Sequence, residues 1–450
     1  MFRRQKAHSR DDLSTARMMA EIFSESRHIQ CMLDFEAALA RALVTAKIAP
    51  AKASTAIKLE CEARLYDISR MVEAASGAGN LAIPLVKELT DKVAHKNAEA
   101  ARFVHWGATS QDVVDSSLVL QLRRALDILG RGLDRLVQAL RQLIQRHKST
   151  VVAGRTWLQQ APPVTLGLKT AGWLDAVGRH RERLRSTRER ALVLQFGGAV
   201  GTLAALGDRG PAVAAALAGE LNLALPDIPW HTHRDRIGEV AATLGLLTGS
   251  LGKIARDISL MSQTEVAELA EPAAPGRGGS STMPHKKNPV ACAAVLAAAI
   301  RVPALVSTML TAMVQEHERG LGGWQAEWQT LPQICMLTAG ALDQLTYVLE
   351  GLRIAPGSMT HNLEITRGLI FSEAVAFALG KHVGKSRAHE LVERACRRAV
   401  AESKHLRETL IEDAEIRAHI NRKNLDLLFD PKTYLGSAGA MIDRVLKRNR

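Results

Sequence analysis

Aromatic side chains make up only 4% of the 450 residues. Strands draw on aromatic and β-branched residues to fill their pleated faces, so this scarcity, beside abundant Ala and Leu, favours packed helices. Cysteine is also sparse: Cys31, Cys61, Cys292, Cys335 and Cys396 are scattered, with no CxxC pair. A disulfide framework or clustered zinc site is therefore not expected, and the chain reads as a reduced, cytoplasmic protein. No uncharged apolar run reaches the roughly 18 residues of a membrane span, so no membrane partner is expected. The opening MFRRQKAHSRDDLSTARMM lacks the apolar core of a signal peptide. A formal charge of +13 invites nucleic acid. The cations are dispersed along helical segments, however, without a basic arm or an aromatic-rich ribbon. No nucleic-acid partner is expected, and a polyanionic small substrate fits the charge at least as well.

What is present is helical periodicity. Thr109 and Asp112 form a capping-box pattern, and leucines follow at 122, 126, 129, 133, 136, 140 and 143. Alternating steps of four and three make a heptad seam, and a helix over 112–145 would span roughly 50 Å. Leu118, Val119, Leu120, Val137 and Ile144 widen its apolar face, which predicts a bundle shared between subunits. Gly130 and Gly132 mark a bend or a close helix approach. Further periodic regions cover about 165–190, 233–270, 289–316 and 326–352, with Pro303 expected to kink or interrupt its helix. Beyond Pro356 the pattern shortens. GKHVGKS misses the phosphate-loop spacing by one residue, and HTH at 231–233 is read as polar or capping rather than metal-binding.

Three segments carry chemistry. HWGATSQD (105–112) places His105 before a helix start, where Thr109, Ser110 and the first amides can hold an anion. GRTWLQQAPPVTLG (154–167) supplies Arg155, Thr156 and Gln159 as polar groups, and Arg155 could pair in bidentate fashion with a carboxylate. GGSSTMPHKKNPV (278–290) joins flexible glycines to Ser280, Ser281, Lys286 and Asn288, a loop able to close over an anion. Each has a blander reading, as a helix cap, a surface turn or a basic linker.

GSSTMPHKKNP closely resembles the signature loop of the fumarase/aspartase superfamily, and HWGATSQD and GRTWLQQAPPVTLG resemble its first two shared regions, in the expected order. The resemblance implies an all-α, fumarase/aspartase-like fold with a central bundle of long helices, assembled as a homotetramer with active sites shared between subunits. The expected domains are an N-terminal helical domain at 1–108, a long-helix bundle at 109–355 with its catalytic loop near 275–289, and a C-terminal helical domain at 356–450. RTWLQQA, SRHIQCMLDFEAALARA and QEHERGLGGWQAEW resemble the branch that closes 3-carboxy-cis,cis-muconate to 4-carboxymuconolactone in protocatechuate degradation. The adenylosuccinate-cleaving branch, or a related argininosuccinate- or fumarate-type lyase, is the alternative. By the same resemblance Ser280 transfers a proton at carbon, Lys286 and Asn288 hold substrate carboxylates, and His105 orients a carboxylate or stabilises the lactonising oxygen. Thr109, Ser110, Arg155, Thr156, Gln159, Ser281 and Arg319 complete the implied binding set. The substrate is expected to be a small tricarboxylate, with no metal or cofactor.

Two departures bear on the choice of branch. Trp157 stands where many superfamily lyases carry a histidine acid, and NPVACAAV lacks the usual glutamate after the signature asparagine. An amine leaving group needs protonation, whereas a carboxylate leaves readily because its conjugate acid has a pKa of about 4. Loss of the acid is tolerable for lactonisation and troublesome for adenylosuccinate cleavage.

Overall fold

The computed structural model describes residues 15–449. The N-terminal stretch read above for a signal sequence lies partly outside the described residues. The leucine seam falls on one helix, Ser110–His147, whose start is fixed by its own sequence: the Thr109 backbone N–H donates to the Asp112 carboxylate at 3.1 Å. All seven seam leucines, 122 to 143, are buried. Burial of each contributes roughly 1.5–3 kcal/mol before conformational entropy is counted. Because the chain itself covers this face, the seam no longer argues for a second subunit. Gly132 marks a close approach, since a Cβ there would lie 2.6 Å from Leu342, whereas Gly130 faces open space.

The other long helices are Leu166–Ala191, Asp235–Met261, Val290–Thr311 and Gly323–Glu350. Pro303 does not interrupt Val290–Thr311; its exposed position leaves the carbonyl that loses a donor, on Ala299, within reach of water. That helix is long and apolar enough to cross a membrane by length and composition, but it carries Arg301 in its interior. The periodic region expected to reach 270 stops at Met261, and the residues beyond turn into a short strand, Leu269–Ala270, paired antiparallel with Arg353–Ile354. A second antiparallel pair, Val151–Thr156 with Gln159–Thr165, forms a hairpin from the segment read above for its polar groups, where no strand was expected. Among the described residues the protein is thus predominantly helical with two small ladders, rather than purely helical. Gln159 and Gln160 face Thr156 and Arg155 across the hairpin, which aligns alternate polar side chains along it.

The chain packs into two compact units that do not follow the sequence-based division at 108 and 355. One takes the chain up to Asp134 with His180–Leu251 and Val295–Asp343; the other takes Arg135–Arg179, Gly252–Ala294 and the chain from Gln344 onward. In the first, helices approach closely enough for Thr248 and Thr338 to share a hydrogen bond of 3.0 Å. In the second, Val375, Leu379, Leu391, Val392, Leu406 and Leu410 pack a core of short C-terminal helices.

Candidate active site

In the first unit the chemistry gathers around Asp112, which has no exposure to solvent. Its Oδ1 accepts from Gln195 Nε2 at 3.2 Å, the Gly197 amide at 3.0 Å and His231 Nε2 at 2.7 Å, and its Oδ2 accepts from the amides of Gly198 at 2.9 Å and Thr109 at 3.1 Å. One carboxylate therefore fastens the helix start to the loop at 195–198 and to His231. A carboxylate only accepts, so Nε2 of His231 must carry the proton. His231, read above as polar or capping, is a buried polar member of this network.

One helical turn further on, Asp115 takes both terminal nitrogens of Arg234 at 2.7 and 3.0 Å. Arg234 also donates to Glu327 through Nε at 3.0 Å and Nη2 at 2.5 Å. All three are buried. Burial alone would lower the Arg234 pKa, but its two carboxylate partners more than offset this and hold it above the ordinary value. Glu327 is pushed up by burial, against the opposing pull of Arg234. Gln111 carries this framework outward: its Nε2 donates to Asp115 at 3.1 Å, while its Oε1 accepts from Arg319 Nη1 at 3.0 Å. Arg319 also donates to the carbonyls of Gly198 at 2.8 Å and Ala199 at 2.9 Å. Its fork, expected to bind substrate, is engaged by the protein.

His105, Thr109 and Ser110 lie at the edge of this network. His105 adopts φ +57°, and Gly107 follows at +82°. Only glycine suits the second position, because a Cβ there would also meet Leu206 at 2.6 Å. His105 Nδ1 lies 2.6 Å from Glu36 Oε1. Ser110 Oγ accepts a long bond from Asn80 Nδ2, at 3.4 Å.

The remaining candidates lie in the second unit. Arg155 forms a two-pronged pair with Glu268, at 2.9 and 2.7 Å, and Glu268 has no exposure. This departs from the expected pairing with a substrate carboxylate: the partner is internal and ties the hairpin to the strand after Asp235–Met261. Asn362 joins it, donating to Glu268 at 2.9 Å while its backbone carbonyl accepts from Gln160 at 2.8 Å. Gln160 is thus turned inward, whereas Thr156 and Gln159 are exposed. Between them Trp157 and Leu158, at φ +52° and +64°, form the hairpin tip, and Trp157 is 99% exposed.

The glycine-rich loop is closed by its own backbone: the Asn288 amide donates to the Gly278 carbonyl at 2.8 Å, and Gly278 sits at φ +69°. Inside it, Ser280 Oγ accepts from the amides of Met283 at 3.1 Å and Thr282 at 3.3 Å. Ser281 and Lys286 are exposed, while Asn288 is half-buried. Glu271 caps the following helix through the amides of Ala291 at 3.1 Å and Cys292 at 2.7 Å.

This arrangement can be set beside known proteins. The family profile described as Lyase matches residues 13–304, and one described as Adenylosuccinate lyase C-terminus matches 368–445. A 3-carboxy-cis,cis-muconate cycloisomerase of Pseudomonas aeruginosa is 56% identical over 95% of this chain and 93% of its own length. One of Bradyrhizobium diazoefficiens is 54% identical, over 96% of each chain. The crystal structure of 3-carboxy-cis,cis-muconate lactonizing enzyme from Pseudomonas putida superposes with a TM-score of 0.91 at 51% identity, covering 96% of each chain. The chain belongs to the fumarase/aspartase superfamily. Its membership accounts for the long helices.

Sequence reasoning missed Glu36, Asp115, Arg234, Glu268 and Glu327. For Glu36 a signal existed: a lone carboxylate in the apolar stretch FEAALA, 35–40, must be paired if that helix face is buried. Asp112 is the member of the network most open to test. Asparagine in its place would turn an amide N–H₂ toward donors on one side, losing charge-assisted bonds. Asp112→Asn is expected to lower unfolding stability by about 3–5 kcal/mol, read from the urea midpoint at neutral pH. A midpoint equal to that of the unmodified protein would remove Asp112 as the fastening point.

Proposed function

We propose that this protein is a cycloisomerase that closes 3-carboxy-cis,cis-muconate to 4-carboxymuconolactone. The observation that carries the reading is the end-to-end similarity to proteins named for this reaction, at more than half of all positions identical. In the reaction, a carboxylate oxygen of the substrate forms a C–O bond to one alkene carbon. The other alkene carbon, adjacent to a second carboxylate, gains a proton, so substrate and product are isomers. Neither a redox step nor water enters the balance.

Ser280 supplies that proton in this reading. The two amides that meet its Oγ support the role, because an oxygen that gives up its proton needs fixed donors already in place. Lys286 and Asn288 bind substrate carboxylates and the negative charge that develops when the nucleophilic oxygen adds. Thr109 and Ser110 bind at the helix start, and His105 faces a carboxylate. Thr156, Gln159 and Ser281 stand on exposed segments available to substrate. Cytoplasmic placement belongs to the same reading and is supported by five unpaired cysteines, four of them buried.

A homotetramer is also part of the proposal. Val290–Thr311 leaves Ala293, Ala297, Ile300, Ala304 and Leu310 exposed, a run of small and apolar residues at helical spacing, with Ile300 74% exposed. The tip at Trp157 and Leu158 adds two large apolar side chains on left-handed backbone, a conformation that costs about 1–3 kcal/mol per residue and persists where surroundings enforce it. A second copy of the chain would cover both features.

Offered 3-carboxy-cis,cis-muconate and adenylosuccinate separately, the purified protein is expected to consume the first, followed by its ultraviolet spectrum. Adenylosuccinate cleavage with the muconate left untouched would overturn the assignment. Within the loop, Ser280→Ala is expected to slow single-turnover lactonisation by about 10²–10⁴-fold, with Ser281→Ala losing less. Fast chemistry in Ser280→Ala beside an inactive Ser281→Ala would reverse the two roles. On dilution, activity is expected to fall together with the tetramer seen by light scattering; a fully active monomer would end the shared-site reading.

A further inference from the structure

Glu36 lies on helix Glu25–Thr45 with only 1% of its side chain exposed. A carboxylate so deeply buried is unfavourable unless its charge is met. Both oxygens of Glu36 serve one residue: Oε1 accepts from His105 Nδ1 at 2.6 Å, and Oε2 accepts from the His105 backbone amide at 3.2 Å. His105 is itself in the left-handed region, which side chains with a Cβ seldom occupy. The same carboxylate therefore holds the backbone and the ring of a strained residue.

The consequence for the imidazole is specific. Since a carboxylate only accepts, Nδ1 carries its proton, and Nε2 is the one nitrogen left to vary. The ring is 20% exposed, and among the described residues Nε2 has no hydrogen-bond partner. The charged groups that act on it are Glu36, from Glu25–Thr45, and Asp112, from Ser110–His147. Burial pulls the His105 pKa down, but the charge and hydrogen bond of Glu36, helped by Asp112, outweigh it and raise the value above the ordinary one. Cys61 and Tyr66, which also feel the Glu36 charge, are pushed up by burial and stay neutral.

We propose that Glu36 is a positioning residue that keeps His105 as an imidazolium, with Nε2–H the donor to a carboxylate of the substrate. Neutral His105 would offer a lone pair to that carboxylate and repel it. This inference rests on the lactonisation reading, and it adds a charge state and a residue that sets it.

The sign of the pH dependence follows. A histidine whose pKa is raised keeps its charge up to that pKa and loses it as the pH rises through it, so kcat/KM should fall on the alkaline side. Removing the Glu36 charge should move that limb to lower pH. Glu36→Gln keeps the size and removes the charge; Glu36→Asp keeps the charge at a longer reach. In the intact assembly, kcat/KM for 3-carboxymuconate measured from about pH 6 to about pH 9 should show the alkaline limb of Glu36→Gln displaced downward, so that its deficit at high pH is severalfold larger than at low pH. Glu36→Asp should fall between the two. An unmoved limb, whether the rates drop by one common factor or stay unchanged, would overturn the proposal.

Should Glu36→Gln fail to fold, the unmodified protein still decides. Histidine labelled with ¹³C at Cε1, with the His105 signal assigned by its loss in His105→Gln, should report an imidazolium at about pH 7. A neutral ring there would sink the proposal. That measurement uses no substrate, so it stands apart from any failure of the protein to consume the muconate.

Discussion

A single buried carboxylate, Asp112, is the point on which the first unit's chemistry depends. Five donors converge on it from the helix start, the loop at 195–198 and His231. No side chain but a carboxylate presents two oxygens that both accept, each with room for more than one donor. The helix start that carries Thr109 and Ser110 is thereby held to the loop whose Gly198 carbonyl receives Arg319. A change at Asp112 is felt by Arg319 and by the segment after His105 together, although Asp112 itself is sealed from solvent.

The neighbouring group of Asp115, Arg234 and Glu327 works differently. Two carboxyl groups share one guanidinium, and all three residues are buried. Trp324 Nε1 and Gln111 Nε2 each donate to Asp115 as well, at 3.0 and 3.1 Å. Buried ion pairs of this kind give little net stability, because desolvation consumes most of the Coulombic gain. What they impose is geometry: each partner has one position in which its bonds are complete. That position is transmitted by Gln111 to Arg319.

Those particulars explain what could be read in the chain before folding. The leucine seam was legible because burial of apolar residues at steps of three and four is a local signal, and every seam leucine is buried. The superfamily loop was legible because glycines, prolines and cations occur together in one short segment. Asp112 was half visible, as the acid of a capping box, but its other four donors come from residues more than eighty positions away. His231 was read only as polar or capping, and its partner could not be named from the sequence because Asp112 lies 119 positions away. The hairpin escaped notice because Trp157 and Leu158 supply none of the Asn-Gly chemistry that normally announces a two-residue turn. The subunit argument from the seam failed because a broad apolar face can be covered by helices of the same chain.

The cations read from sequence as substrate ligands now divide into two kinds. Arg155 is matched by Glu268, and Arg319 by two backbone carbonyls and Gln111. Moving either onto a substrate would strand a buried acceptor, at a cost comparable to the bond gained. Lys286 is different: it is exposed, and among the described residues its ammonium forms no ion pair. His105 is different again, with one nitrogen committed to Glu36 and the other open. In the proposed reaction a tricarboxylate must find positive charge that the fold has not already spent. Among the candidate cations read from the sequence, the uncommitted ones are a lysine on a glycine-rich loop and a histidine fixed by a buried glutamate. In that proposed reaction the first follows the substrate as charge moves during ring closure, and the second holds a carboxylate still. A mobile and a fixed cation suit a reaction in which one carboxylate becomes a nucleophile while another takes up developing charge.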